Sequence, residues 1–191
     1  MKRIWVILGQ TGSGKSTFVD NLPPKLGIKV ARNWTTRPIR PDESQLDYNF
    51  VNYGEFVKGE KDGKLVGIRT YHTVINGLNS VYKYAIDLEE LKHSPEVMVI
   101  TDWEGYMDIR SLHSDDEVKC LYMYTEPDDL LKQAKQRKDF NELEFNRRVK
   151  TDTRLTIKEI ERHVTDLPIL KLGGTVEDRV ETFLSYRKEI Q

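Results

Sequence analysis

Gly9-Gln10-Thr11-Gly12-Ser13-Gly14-Lys15-Ser16 has residue types and spacing that suit one definite chemistry. A glycine, four residues, then glycine, lysine and serine is the pattern of a loop that binds nucleotide phosphates. Gly9, Gly12 and Gly14 open backbone angles closed to residues with a Cβ and let the chain approach a ligand closely. The loop N–H groups then point inward as an anion nest. A helix starting behind the loop adds the positive end of its dipole. Lys15 brings a point charge to the β- and γ-phosphates, and the Ser16 hydroxyl is placed to meet Mg²⁺.

Such a loop needs a strand before it and a helix after it. Ile4-Trp5-Val6-Ile7-Leu8 is a short apolar run of buried-strand type. Ser16 to Leu22 suits a helix, stopped by Pro23 and Pro24. Further along, Val97–Ile100, Val118–Tyr124 and Leu167–Leu172 read as strands, the first two continuous enough for burial on both faces. Helical patterns fall on Leu88–Lys92, Pro127–Lys138, Phe140–Val164 and Val176–Ile190. Strands alternating with helices imply an α/β fold with a mainly parallel sheet. Residues 32–86 differ, being rich in Tyr, Asn, Gly, Thr and charge without a long helix. They read as an inserted, mostly β lobe facing the glycine loop.

The chain has 191 residues, which suits a single domain with a real core. Its 30 Lys plus Arg nearly cancel 31 Asp plus Glu, so no basic excess points to nucleic acid. Cys120 is the only cysteine, which excludes an internal disulfide or a Cys-based zinc cluster, and its apolar run suits buried packing. The strand and loop begin at once, leaving no room for a signal peptide, and no apolar run reaches membrane-spanning length. A soluble, reducing, cytoplasmic setting is expected. His72, His93, His113 and His163 lack ligand spacing with one another.

A second constellation follows the loop: Thr35-Thr36-Arg37-Pro38-Ile39-Arg40-Pro41-Asp42-Glu43, then Asp47-Tyr48-Asn49-Phe50-Val51. Two arginines held by prolines make a rigid basic fork, and arginine binds phosphate oxygens through paired N–H donors. Tyr48 offers a hydroxyl to the same anion. A third charged stretch, Leu130 to Lys150, holds Lys132, Lys135, Arg137, Lys138, Arg147, Arg148 and Lys150. By itself it reads as a solvated helix face.

Together with the glycine loop, Thr-Thr-Arg-Pro-x-Arg-Pro-x-Glu followed by Asp-Tyr-x-Phe-Val resembles the signature of the guanylate kinase family. The likeness continues in outline through Val99–Gly105, Tyr122–Pro127 and Arg137–Arg148, and its first fifty residues carry it most strongly. The family implies a P-loop kinase fold with a core (1–31, 87–129 and 151–191), an acceptor lobe (32–86) and a helical lid (130–150). It implies γ-phosphate transfer from ATP to GMP or dGMP with Mg²⁺. The ATP site would be Gly9, Gln10, Thr11, Gly12, Ser13, Gly14, Lys15, Ser16 and Thr17. Acceptor residues would be Asn33, Arg37, Arg40, Tyr48, Tyr84 and Asp102. Lys15, Arg37, Arg137 and Arg148 would be catalytic, and Ser16 with Asp102 would meet the metal. Phosphoryl transfer agrees with these roles, since it needs alignment, positive charge and exclusion of water more than covalent help. The expected partners are ATP and a nucleoside monophosphate, without nucleic acid or membrane, on a monomer or homodimer.

This chain departs from the family pattern at several positions. Asp42 replaces a glycine, and Glu43 to Tyr48 is one residue short. The stretch Lys64 to His72 lacks the glutamate that accepts hydrogen bonds from guanine, and Val81–Ile86 loses a small hydroxyl residue. Ile100 stands where a first Asp is usual, and Gln133, beside Lys132, replaces a lid arginine. Arg69, Tyr71, His72 and Tyr84 are the candidates for reading a base instead. Alternatives are a kinase of another nucleotide or of a sugar phosphate, and a binding module, which the complete glycine loop disfavours.

Overall fold

Ile4 to Leu8, apolar at every position, become the central strand of a parallel sheet with all five side chains fully buried. In this computed structural model, which describes residues 2–40, 43–75, 78–136, 140–163 and 167–190, that strand is β1 (Arg3–Gly9). Helix α1 (Lys15–Asp20) follows, then short strands β2 (Lys29–Val30), β3 (Trp34–Thr35) and β4 (Asn49–Phe50). Helix α2 (Tyr53–Lys61) leads into the long pair β5 (Leu65–Ile75) and β6 (Leu78–Asp87). The chain then alternates through β7 (Glu96–Ile100), α3 (Trp103–Leu112), β8 (Val118–Met123) and α4 (Pro127–Lys135). Helices α5 (Glu142–Asp152) and α6 (Lys158–His163), strand β9 (Ile169–Leu172) and α7 (Val176–Glu189) complete it.

The main sheet has the order β2-β7-β1-β8-β9, every pairing parallel. Strand residues alternate between faces, so β1 feeds two cores. Ile4, Val6 and Leu8 pack with Trp103, Tyr106 and Ile109 of α3 and with Ile160 of α6. Trp5 and Ile7 pack with Phe18 of α1 and Phe183 of α7, the Trp5 and Phe183 rings meeting edge-on at 4.9 Å. Each of these side chains stabilises the fold by about 1.5–3 kcal/mol. A second sheet, ordered β4-β3-β6-β5 and mostly antiparallel, carries its own core of Phe56, Leu65 and Ala85.

Two helical expectations need correction, and a third is met with a local change. Residues 88–92 form hydrogen-bonded turns, Glu90 and Lys92 donating to Asp87 and Glu89, because five residues before a strand leave no room for a helix. The helix expected within Phe140–Val164 is present as one run of α5, a π-turn at Thr153–Ile157 and α6, with Val164 outside the described residues. The helix expected to reach Lys138 ends at Lys135, and residues 137–139 are likewise outside. Two helices were not foreseen, α2 and α3. Helix α2 has a capping box between Asn52 and Glu55 that was there to be read.

Candidate active site

Ligands of open α/β sheets bind beyond the carboxyl ends of strands where strand order reverses. Here β1 lies between β7 and β8, and its carboxyl end is Gly9, the first residue of the glycine loop. Ser13 N–H donates to Gln10 O at 3.1 Å and closes the turn. Gly12 and Gly14 take φ of 85° and 81°, the left-handed region that favours glycine. Lys15 Nζ donates to Gly9 O and Gln10 O, each at 2.8 Å, so its charge is held over the loop.

The loop is also gripped by the segment that follows the charged stretch. Thr11 N–H and its hydroxyl donate to Asp152 Oδ2 at 2.6 and 2.8 Å, and Gln10 Nε2 donates to Thr153 Oγ1 at 2.7 Å. A Cβ on Gly12 would meet Leu130 O at 3.2 Å and Phe145 Cε2 at 3.3 Å, so α4 and α5 pack directly on the loop. On α5, Arg147 is bonded to Glu144 at 2.8 Å, whereas Arg148 has no hydrogen bond or ion pair among the described residues. Arg137 lies outside the described residues.

The second constellation gathers on the smaller sheet. Arg37, only 7% exposed, is clamped. Its Nε donates to Tyr84 Oη at 3.0 Å, and its two Nη groups bond both Glu43 oxygens at 2.8 and 2.7 Å. Burial, the largest single influence, would lower the Arg37 pKa, but the hydrogen bonds and charge interactions with Glu43 and Tyr84 together outweigh it and the net shift is upward. Its guanidinium also lies 5.4 Å from the Tyr48 ring centroid. Burial pushes the Tyr48 hydroxyl up and keeps it neutral. Arg37, Tyr48 and Tyr84 thus form one cluster. Arg40 binds Glu43 through its backbone N–H at 3.0 Å, and Asp42 lies outside the described residues.

Asp102 follows β7 and caps α3, its Oδ1 accepting from Gly105 N–H at 2.9 Å. Arg69 Nε reaches the same Oδ1 at 3.1 Å, and the Tyr71 hydroxyl donates to Oδ2 at 2.9 Å. Burial first, then the Asp102 charge, drives the Tyr71 pKa up. Arg69 also pairs with Glu104 at 3.1 Å and Asp108 at 3.3 Å. Asp102 Oδ1 is therefore committed within the protein, and Oδ2 keeps room for one further partner. Asn33 Nδ2 donates to Ile100 O at 2.7 Å, next to this group, while its Oδ1 is buried without a partner.

Of the candidate base readers, Arg69, Tyr71 and Tyr84 share one face, the Tyr71 and Tyr84 rings 5.2 Å apart and edge-on. His72 alternates to the other face and is exposed. Gly67, in the stretch that lacks a glutamate, has φ 62°, and a Cβ there would stand 3.3 Å from Gly105 Cα. Strand β5 thus passes close over the start of α3. A continuous path of contacts runs from Glu43 through Arg37, Tyr84 and Tyr71 to Asp102. Thr101, its neighbour, donates its N–H to Ile7 O beside the glycine loop.

Sequence reasoning gave no role to Glu43, Asp152, Thr153 or Arg179. The last was detectable, as a charge within the apolar stripe of Val176, Val180, Phe183 and Leu184 on α7. Among the described residues no three His, Cys, Asp or Glu side chains gather to hold a metal, and no helix is long and apolar enough to cross a membrane.

No family model matches the chain. It is 28% identical over 153 residues to guanylate kinase of Mycoplasma genitalium, a match covering 77% of this chain and 61% of the relative. It is 27% identical over 109 residues to guanylate kinase of Fusobacterium nucleatum, covering 56% and 57%. The chain thus spans about three fifths of the curated relatives it matches. The crystal structure of guanylate kinase from Anaplasma phagocytophilum superposes with a TM-score of 0.64 at 17% identity, over 100% of this chain and 87% of that one, and shows the shared fold.

Proposed function

We infer that this chain belongs to the guanylate kinase family and transfers the γ-phosphate of ATP to a nucleoside monophosphate, GMP or dGMP. The observation that carries this reading is the path joining the complete glycine loop, through Asp102, Tyr71 and Tyr84, to the buried Arg37–Tyr48 cluster. Two phosphate-binding devices are then linked by one chain of contacts, as transfer between two polyanions requires.

In this reading residues 32–86 form the acceptor lobe and 130–150 the lid. The loop holds the ATP phosphates, with Lys15 on the β- and γ-groups. Arg37, Arg40 and the Tyr48 hydroxyl hold the acceptor phosphate, Arg37 arriving already oriented by Glu43. An acceptor phosphate oxygen attacks the γ-phosphorus in line, the bond to the β–γ bridging oxygen breaks, and ADP leaves. Arg148, uncommitted on α5, and Arg137 supply charge as the lid closes. The exposed hydroxyl of Ser16 suits Mg²⁺, which takes one or two protein ligands beside phosphate oxygens and water. When bound, the ion neutralises charge on the phosphates. Asp102 keeps only Oδ2 for such a role.

Arg69's hold on Asp102 favours one second reading, an acceptor other than a guanine nucleotide. The same assay separates the two. ADP release with ATP and Mg²⁺ is measured against every ribo- and deoxyribonucleoside monophosphate and against ribose phosphates. Turnover with GMP or dGMP, reduced about a hundredfold or more in Lys15→Ala, is the expected result. Turnover confined to another acceptor overturns the guanine assignment.

A further inference from the structure

Behind the glycine loop lies an arginine that the transfer reaction as described does not use. Arg179, on α7, is 3% exposed. Its Nη1 donates to Ser13 O at 2.7 Å, and its Nη2 donates to Tyr124 O at 2.8 Å and Thr125 Oγ1 at 2.9 Å. All three acceptors are uncharged, and the Arg179 Nε is buried without a partner. The adjacent carboxylate, Asp178, is turned to the helix start, where it accepts from Thr175 N–H and hydroxyl. No carboxylate pairs with Arg179 among the described residues. Burial lowers its pKa from the ordinary value, yet a guanidinium keeps its proton in proteins. A full positive charge therefore sits in the interior with neutral dipoles alone around it, a costly arrangement.

The geometry of one peptide gives that charge a use. The Ser13–Gly14 peptide is trans, as is every peptide among the described residues, so its carbonyl and N–H point in opposite directions. Ser13 O faces Arg179. Gly14 N–H must then face the concave side of the loop, and it makes no hydrogen bond among the described residues. The guanidinium lies against the loop itself, since a Cβ on Gly14 would stand 3.2 Å from Arg179 Nη1. In a low-dielectric setting the charge polarises this peptide and strengthens the N–H on its far side. Lys15 is held separately, on Gly9 O and Gln10 O.

We propose that Arg179 is a positioning residue for the phosphate donor, its buried charge balanced by a polyphosphate bound across the Ser13–Gly14 peptide. The inference rests on the glycine loop binding polyphosphate and is independent of the acceptor. A purely structural stitch between α7, β8 and the loop would need hydrogen-bond donors but not charge. That difference makes it testable.

Binding of inorganic tripolyphosphate and of ATP is measured by calorimetry on the whole chain, on Arg179→Gln and on Arg179→Lys, with thermal unfolding of each. Gln keeps a donor and loses the charge, whereas Lys keeps both. Arg179→Gln is expected to weaken tripolyphosphate about tenfold or more, from the loss of one buried charge across a single peptide from the anion, while Arg179→Lys, which keeps the charge but not the guanidinium fork, is expected to weaken it less. A loss of melting temperature shared by both variants reports the stitch alone. Tripolyphosphate binding by Arg179→Gln at wild-type strength overturns the inference, and so does a Lys variant that falls as far as Gln. Should neither variant fold, the Arg179 Nε–H resonance of the unmutated protein is followed by NMR. A shift on saturation with tripolyphosphate is expected, and an unmoved resonance overturns the inference. Wild-type protein that binds no polyphosphate sinks the loop assignment and this inference together. Binding without transfer to any monophosphate sinks the acceptor assignment alone.

Discussion

At the scale of single residues, Glu43 shows how charge is prearranged in the proposed acceptor lobe. Burial alone would push its carboxyl up, but hydrogen bonds from Arg37 and from the Arg40 backbone outweigh it and hold the pKa below the ordinary value. A carboxylate depressed in the folded state adds stability that is fully present above the unfolded pKa of about 4.3 and lost as pH falls through the folded value. Wild-type protein should therefore exceed Glu43→Gln in unfolding free energy at pH 7. The gap should close as pH drops below about 4, measured by urea unfolding along the pH series. A gap constant with pH would place the role of Glu43 in packing alone. Arg37 drew notice in the sequence because prolines hold it beside Arg40, and Tyr48 because its hydroxyl could meet the same anion. Glu43 closes on Arg37 within one loop, six residues away, but Tyr84 reaches it only because strands β3 and β6 pair, with Thr35 opposite Tyr84.

Between elements, the informative contact is that of Asp152 at the end of α5 with Thr11 in the glycine loop. It ties the loop to the helix that carries Arg148, so a shift of one moves the other. Asp152→Ala leaves the Thr11 N–H without its acceptor and should cost about 1.5–3 kcal/mol, the range for hydrogen bonds to charged groups. Asp152→Asn keeps an acceptor oxygen without the charge and should lose less than Asp152→Ala. Denaturant unfolding of both variants checks this, and equal losses would point to the charge instead. The elements missed from sequence have physical explanations. Helix α3 contains Gly105, which reads as a breaker. The structure requires glycine there because a Cβ would collide with the Thr101 hydroxyl. Helix α2 buries only Phe56 and Gly59, so its periodicity is faint.

Over the whole molecule, the cores on the two faces of one sheet share strand β1, which ends in the proposed loop site, so filling the site should stabilise the entire chain. A ligand present at a hundred times its Kd adds about 2.7 kcal/mol, which for a domain of this size is a rise of roughly 5–10 °C in melting temperature. ATP should produce that rise in the wild type and not in Lys15→Ala at the same concentration, as read by thermal unfolding. Sequence by itself determined the α/β class, the strand–loop–helix unit around Gly9–Ser16 and the burial of Cys120, because these follow from short-range patterns of apolarity, glycine and proline. Tertiary structure decided the partners: Asp152 on Thr11, 141 residues apart, Arg179 on Ser13, 166 apart, and Arg69 on Asp102, 33 apart. Such pairings arise from strand order and helix docking, which bring distant residues together, and no local periodicity encodes them.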